Sequence, residues 1–121
     1  MITRTSFVIA VADLKASSAF YRDVLGFKIE DGGDPGWLSY KLGACTIMAG
    51  ECASAMPAAE LGDHSYFAYL EVEHIEAYCR SVQASGAELI KTLRDEPWGM
   101  REFGVRTADG HRIMFGSRLE R

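Results

Sequence analysis

The order of predicted elements in this chain runs once and then runs again. Ser6 to Val11 is a short β-rich run, and Asp13 follows as an N-cap residue ahead of a helical pattern from Leu14 to Leu25. There Leu14, Ser17, Ser18, Tyr21, Val24 and Leu25 fall near the i, i+3, i+4, i+7 spacing of one helix face, and Gly26 supplies the stop. Strands are predicted at Phe27–Ile29, Trp37–Leu42 and Cys45–Ala49, parted by a Gly/Asp/Pro turn over 31–36 and by Gly43-Ala44. About 60 residues on, the order restarts with a strand at Tyr66–Val72 and a helix at Ile75–Ala84 closed by Ser85-Gly86. Strands at Glu88–Leu93, Glu102–Arg106 and Arg112–Gly116 complete it. Residue identity between the halves is low, so the repeat is one of element order. Residues 1–50 form a first βαβββ module, 51–63 a linker with a helical turn near Ala58–Leu61, and 64–121 a second module, all within a single domain.

This repeat predicts an α+β fold. Each half has one helix and a short antiparallel sheet, and the helix covers one sheet face and leaves the other open. Two such halves, edge to edge, enclose a curved half-barrel cavity. Strand alternation assigns the faces. Phe7, Ile9 and Val11 are expected to pack on a helix, leaving Ser6, Val8 and Ala10 for the cavity. In the second half Ala68, Leu70 and Val72 are expected to face the helix, leaving Phe67, Tyr69 and Glu71 for the cavity.

Composition bounds the function. With 121 residues, 48% apolar and 25% charged, the chain is an ordinary globular domain able to fold without staples. A net charge of −4 and the lack of a Lys/Arg cluster argue against nucleic acid. The acidic run Glu30-Asp31-Gly32-Gly33-Asp34 reads as a solvated loop or as the mouth of a site for a cationic ligand. Cys45, Cys52 and Cys79 are odd in number and fit no zinc or redox spacing. No leader pattern precedes the first strand and no apolar run reaches membrane-spanning length, so no membrane association and a reducing cytoplasm are expected.

The residues resemble a known superfamily. Val11-Ala12-Asp13-Leu14 through Phe20-Tyr21 to Leu25-Gly26-Phe27 is similar to the opening strand–helix signature of the glyoxalase/bleomycin resistance/dioxygenase (vicinal oxygen chelate) proteins. Pro97-Trp98-Gly99-Met100-Arg101-Glu102-Phe103, followed by Asp109-Gly110-His111, is similar to the closing segment of the bleomycin-resistance-like branch. The resemblance implies the glyoxalase/bleomycin resistance/dihydroxybiphenyl dioxygenase-like fold and a homodimer. Enzymes of this superfamily hold a divalent metal on cavity-facing His or Glu. Matched strand to strand, those positions fall on Ser6, Met48, Phe67 and Met114. Phe has no donor atom, Ser is a poor ligand, and a thioether suits soft copper rather than magnesium or zinc. No metal and no other cofactor is therefore expected. His64, His74 and His111 read as exposed or capping residues, and a displaced site from His64, Glu51 or Glu71 is the alternative.

An apolar, adaptable cavity remains, with Val8, Met48, Phe67, Tyr69 and Met114 as its lining. Trp37 and Trp98 lie on loops or strand ends where an indole stacks on a flat ligand. The candidate ligand-binding residues are thus Trp37, Met48, Phe67, Tyr69, Trp98 and Met114, with Asp31 or Glu51 meeting a ligand's positive charge. The competing reading makes the same side chains core. No residue is assigned as catalytic: Glu71 with Tyr69 is the one acid–base pair the pattern offers, and Glu71 reads equally as a rim residue paired with an arginine. The expected function is metal-independent binding of a planar, drug-like, cationic small molecule. A metal-dependent lyase, isomerase or dioxygenase with displaced ligands is the alternative, and a cavity-filled module that binds nothing small is the third.

Overall fold

A computed structural model describes residues 1–62 and 64–120. The chain forms β1 (Phe7–Val11), α1 (Leu14–Asp23), β2 (Lys28–Glu30), β3 (Trp37–Leu42) and β4 (Cys45–Glu51). A 3₁₀ turn at Ala58–Glu60 leads to β5 (Tyr66–Glu71), α2 (Ile75–Ala84), β6 (Glu88–Asp95), β7 (Met100–Arg106) and β8 (Arg112–Arg118). The βαβββ order therefore occurs twice, as expected. Two compact units divide between Pro57 and Ala58. Among the described residues no helix is long and apolar enough to cross a membrane.

Each unit holds one four-stranded sheet, ordered β1-β4-β3-β2 and β5-β8-β7-β6. The sheets are mixed rather than purely antiparallel, because β1 pairs with β4 and β5 with β8 in parallel. The helix returns the chain to the same end of the sheet, which a hairpin does not do. The last two strands of the second unit are longer than the sequence pattern suggests. Met100 and Arg101 pair with Arg118 and Ser117 beyond the apolar core, so alternation does not announce them.

In the first unit Asp13 caps α1, its carboxylate accepting from the backbone N–H of Lys15 at 2.9 Å and Ala16 at 3.2 Å. The helix ends at Asp23, before Leu25, because Gly26 at φ +84° turns the chain and Phe27 N–H bonds back to the Tyr21 carbonyl at 2.9 Å. Tyr21, Leu25 and Phe27 pack with Ile9, Val11, Tyr40, Ile47 and Ala49 in the core. Ser17 sits on the buried helix face because Tyr40 donates its hydroxyl proton to Ser17 Oγ at 2.8 Å. A buried hydroxyl with a partner is tolerated where a bare one is not.

In the second unit Ile75, Cys79 and Val82 of α2 are buried, as are Ala68, Phe103, Val105, Ile113 and Phe115 of the sheet. Phe103 and Phe115 stack with centroids 5.0 Å apart, and Tyr78 meets Phe115 edge-on at 5.3 Å. Arg112 is buried, and its guanidinium donates to the carbonyls of Ala58 at 2.9 Å and Ala59 at 3.3 Å. A Cβ at Gly110 would lie 2.7 Å from the Ala59 nitrogen. The 3₁₀ turn, read from sequence as part of the linker, is thereby fastened to the β7–β8 hairpin.

Candidate functional site

The open face of the first sheet carries Val8, Ala10, Met48, Ser39, Gly50 and Trp37. The ladder sets them in two rows: Val8 beside Met48 beside Ser39, and Ala10 beside Gly50 beside Trp37. Val8, Ala10, Trp37 and Met48 are exposed, whereas Ile9 and Val11 on the other face are buried. Alternation thus assigns this face correctly. The Trp37 indole lies across Gly50, and a Cβ there would stand 2.7 Å from its Cη2. Glycine at that one position lets the ring lie down on the strand.

A cleft of about 450 Å³ opens beside this indole, lined by Gly32, Asp34, Trp37, Leu38, Ser39 and Met48. The acidic residue of its lining is Asp34, and neither Asp31 nor Glu51 is part of that lining. Asp31 Oδ1 accepts from Gly33 N–H at 2.9 Å, and Glu51 Oε2 accepts from Leu14 N–H at 3.0 Å, at the start of α1. Glu30 pairs with Lys41 at 3.1 Å and with Lys28 at 3.7 Å, which holds its carboxyl below the ordinary range. The acidic run is therefore divided by use, and its last member reaches the cleft.

The open face of the second sheet is built around a buried carboxylate. Glu102, 3% exposed, accepts from Lys91 Nζ on Oε1 at 2.7 Å. Its Oε2 accepts from Tyr69 Oη at 2.7 Å and from Trp98 Nε1 at 2.9 Å. Lys91 also donates to Glu96 Oε2 at 2.7 Å and stands 5.5 Å from the Trp98 ring centroid. Arg94 lies 3.4 Å from Glu96 Oε1, giving the cluster two charges of each sign. Burial works to raise the Glu102 pKa, but the hydrogen bonds from Lys91, Trp98 and Tyr69 outweigh it and hold the carboxyl below its ordinary value. Burial and the adjacent carboxylate push the Tyr69 hydroxyl well above the usual tyrosine range. Burial alone would lower Lys91, yet its bonds to Glu102 and Glu96 raise it. Tyr69 is thus a poor acid and Glu102 a poor base.

The other expected residues fall in various places. Met114 pairs with Tyr69 and Gly104, half-buried on the same open face. Trp98 is 63% exposed at its turn and does not line the cleft beside Trp37. Phe67 is half-buried and meets His111 edge-on at 5.7 Å. A bulge between Tyr66 and Ala68 breaks simple alternation, and the Tyr66 hydroxyl lies 2.9 Å from where a Gly104 Cβ would be. Tyr66 is therefore an open-face residue that counting by twos misses. His111, expected to be exposed or capping, is half-buried, and burial lowers its pKa. Glu71 is exposed and lies 3.8 Å from Arg118, the arginine-paired reading of that residue. Glu102, Lys91 and Glu96 went unassigned from sequence; the signal available was Glu102 at even spacing from Gly104, on the face opposite Phe103 and Val105.

The metal implied by the superfamily's enzymes does not fit these residues. Met48 and Met114 offer thioethers, Phe67 offers no donor, and the neighbouring Glu102 already takes three hydrogen-bond donors. Among the described residues no three His, Cys, Asp or Glu side chains come together as a metal site.

Comparison with known proteins agrees with the fold. A family model described as Glyoxalase/Bleomycin resistance protein/Dioxygenase superfamily matches residues 4–115. No curated protein matches the chain. Among solved structures, TnmS3, an antibiotic binding protein from Streptomyces sp. CB03234, superposes with a TM-score of 0.74 at 20% identity, covering 98% of each chain. TioX from Micromonospora sp. ML1 gives 0.74 at 20% identity, over 95% of this chain and 99% of its own. A glyoxalase/bleomycin resistance protein/dioxygenase from Alicyclobacillus acidocaldarius gives 0.81 at 13% identity, over 98% and 92%. At such identities the likeness concerns the fold.

Proposed function

This chain belongs to the glyoxalase/bleomycin resistance protein/dioxygenase superfamily, and we propose that within it the protein binds a planar, drug-like small molecule without a metal and without catalysing a reaction on it. The observation that carries this reading is the cleft of about 450 Å³, walled by the Trp37 indole and Met48 and bearing one carboxylate, Asp34. That volume lies within the range of small-molecule sites, which are mostly apolar with a few polar anchors. An indole face beside a carboxylate favours a flat ligand with positive charge. The neighbour TnmS3 is an antibiotic binding protein, which supports a drug-like ligand.

The test is titration calorimetry with a panel of flat aromatic cations and neutral analogues. Binding in the micromolar range or tighter is expected, with Trp37→Ala and Asp34→Asn each about tenfold weaker, equal to about 1.4 kcal/mol. A wild-type chain that binds no member of the panel overturns the reading. The reading includes a twofold homodimer, because strands β1, β2, β5 and β6 sit at the sheet edges and such edges are normally covered; a monomeric mass by light scattering contradicts it. Three unpaired cysteines support a reducing, cytoplasmic setting.

A further inference from the structure

Trp98 stands in a turn and is 63% exposed, yet it is the outer member of a buried ionic network. Its indole N–H is fixed by Glu102 Oε2 at 2.9 Å, and Lys91 lies 5.5 Å from its ring centroid. The same oxygen takes the Tyr69 hydroxyl at 2.7 Å, so one atom sets the positions of both aromatic side chains. Tyr69 reaches that oxygen only because Gly116, paired with Glu102 in the ladder, has no side chain: a Cβ there would lie 2.0 Å from Tyr69 Oη. Lys91 and Glu96, each 11% exposed, complete the network. Buried ions give up their hydration, and an apolar cluster of similar volume commonly stabilises a sheet at least as well. What the ions supply and an apolar cluster does not is direction, since a hydrogen bond orients the ring that makes it. Holding groups in the bound arrangement beforehand removes an ordering cost from binding.

We propose that Glu102 is a positioning residue for a ligand surface on the open face of the second unit's own sheet, holding Tyr69 and Trp98 in one fixed arrangement so that a flat ligand meets a preformed aromatic wall there. This rests on the binding reading above. Glu102 acts through the two rings and does not touch the ligand, because its two oxygens already serve three donors. Lys91 keeps the carboxylate charged and therefore a strong acceptor.

Two measurements test it, one of which needs no ligand. In a Trp37→Phe background Trp98 is the sole indole of the chain, and its time-resolved fluorescence anisotropy reports local motion of that ring. Glu102→Gln is expected to free the ring, adding a fast depolarising component that the parent lacks. Calorimetry with proflavine as a flat cation and an anthraquinone as a flat neutral probe, in the Trp37-containing chain, gives affinities. Glu102→Gln and Trp98→Phe, which keeps a ring but has no N–H, are each expected to weaken binding about tenfold. In a Trp98→Ala background, Glu102→Gln is expected to cost less than it does in the Trp98-containing chain, because only Tyr69 is left for it to free. Unchanged affinity in Glu102→Gln, or fully additive losses with Trp98→Ala, overturns the proposal. If Glu102→Gln does not fold, Trp98→Phe and Tyr69→Phe decide, and full affinity in both overturns it. If wild type binds neither probe while Trp98 is held rigid, the binding reading and this role fall together and the network is structural. If wild type binds and Trp98 is already mobile, only the positioning role falls.

Discussion

Replacing Gly50 by alanine separates the ligand role of Trp37 from any part it has in stability. A Cβ at this position would lie 2.7, 2.8 and 3.0 Å from three carbons of the indole. Carbon atoms rest at about 3.5–4.0 Å, so the ring must lift by about 1 Å or swing off the strand. The backbone itself accepts alanine, because Gly50 is not among the positive-φ glycines. In the unfolded chain the substitution removes freedom, which favours the fold by about 0.4–1 kcal/mol where the native conformation suits both residues. The ring it displaces is 43% exposed, and a lift of about 1 Å uncovers only part of the remainder. Gly50→Ala should therefore fold with a stability within about 1 kcal/mol of wild type in urea denaturation. It should nevertheless bind flat cations about tenfold more weakly, a loss of about 1.4 kcal/mol that matches Trp37→Ala. Wild-type affinity in Gly50→Ala alongside lost affinity in Trp37→Ala would show that the indole's seat on Gly50 does not shape the cleft. A loss of several kcal/mol of stability would show that Trp37 belongs to the core.

Other perturbations address the second sheet and the metal question. Gly116→Ala should break the Tyr69–Glu102 bond, since its Cβ would lie 2.0 Å from the hydroxyl, and should destabilise the fold by about 1–3 kcal/mol in chemical denaturation. Lys91→Met leaves Glu96 and Glu102 without their shared cation and should cost about 3–5 kcal/mol; a loss under about 1 kcal/mol would mean that the pair is already well solvated. Because the folded Glu102 pKa lies below its ordinary value of 4.5, its contribution to stability is present above that pH and is lost as pH falls through the lower folded value. Wild-type stability should therefore decline on acidification below about pH 4.5, and Glu102→Gln should flatten that decline. Protein purified without chelator should carry no stoichiometric zinc, nickel, manganese or iron by plasma emission analysis; about one ion per chain after dialysis would contradict the chemistry of Ser6, Met48, Phe67 and Met114.

Much of the fold was legible because its signals are local. Asp13 and Gly26 bracket α1 by capping chemistry, and period-two alternation separates Ile9 and Val11 from Val8 and Ala10. The repeat of element order then implies two similar sheets. Parallel pairing of β1 with β4 and of β5 with β8 was not legible, because pairing direction depends on how distant segments meet. On the open faces, Trp37 and Met48 were recognisable as bulky apolar residues on a face the helix does not cover. Glu102 was not, because a lone glutamate on a strand ordinarily reads as a solvated residue. Its burial depends on Lys91 from one neighbouring strand, Tyr69 from β5 and Trp98 from the turn, a coincidence with no sequence periodicity. Tyr66 was not assigned to the open face for a related reason, since a bulge changes the count of residues without changing their chemistry.

The clasp of Arg112 on Ala58 and Ala59 also fixes where this chain tolerates being interrupted. Between Cys52 and Pro57 the backbone bonds among the described residues are Cys52 N–H to the Val11 carbonyl at 2.7 Å and Ala55 N–H to the Cys52 carbonyl at 3.2 Å, and all of residues 52–57 are exposed or half-buried. Extra residues placed at 53–57 only lengthen a loop, and each doubling of loop length costs only about 0.6 kcal/mol. New termini are accommodated there for the same reason. Placed at 58–59, the same insertion would pull two carbonyls off a buried guanidinium and disturb the packing of Ala59 against Gly110. The border between open and closed territory for circular permutation, tag insertion or proteolytic nicking thus falls at Pro57–Ala58, drawn by one arginine.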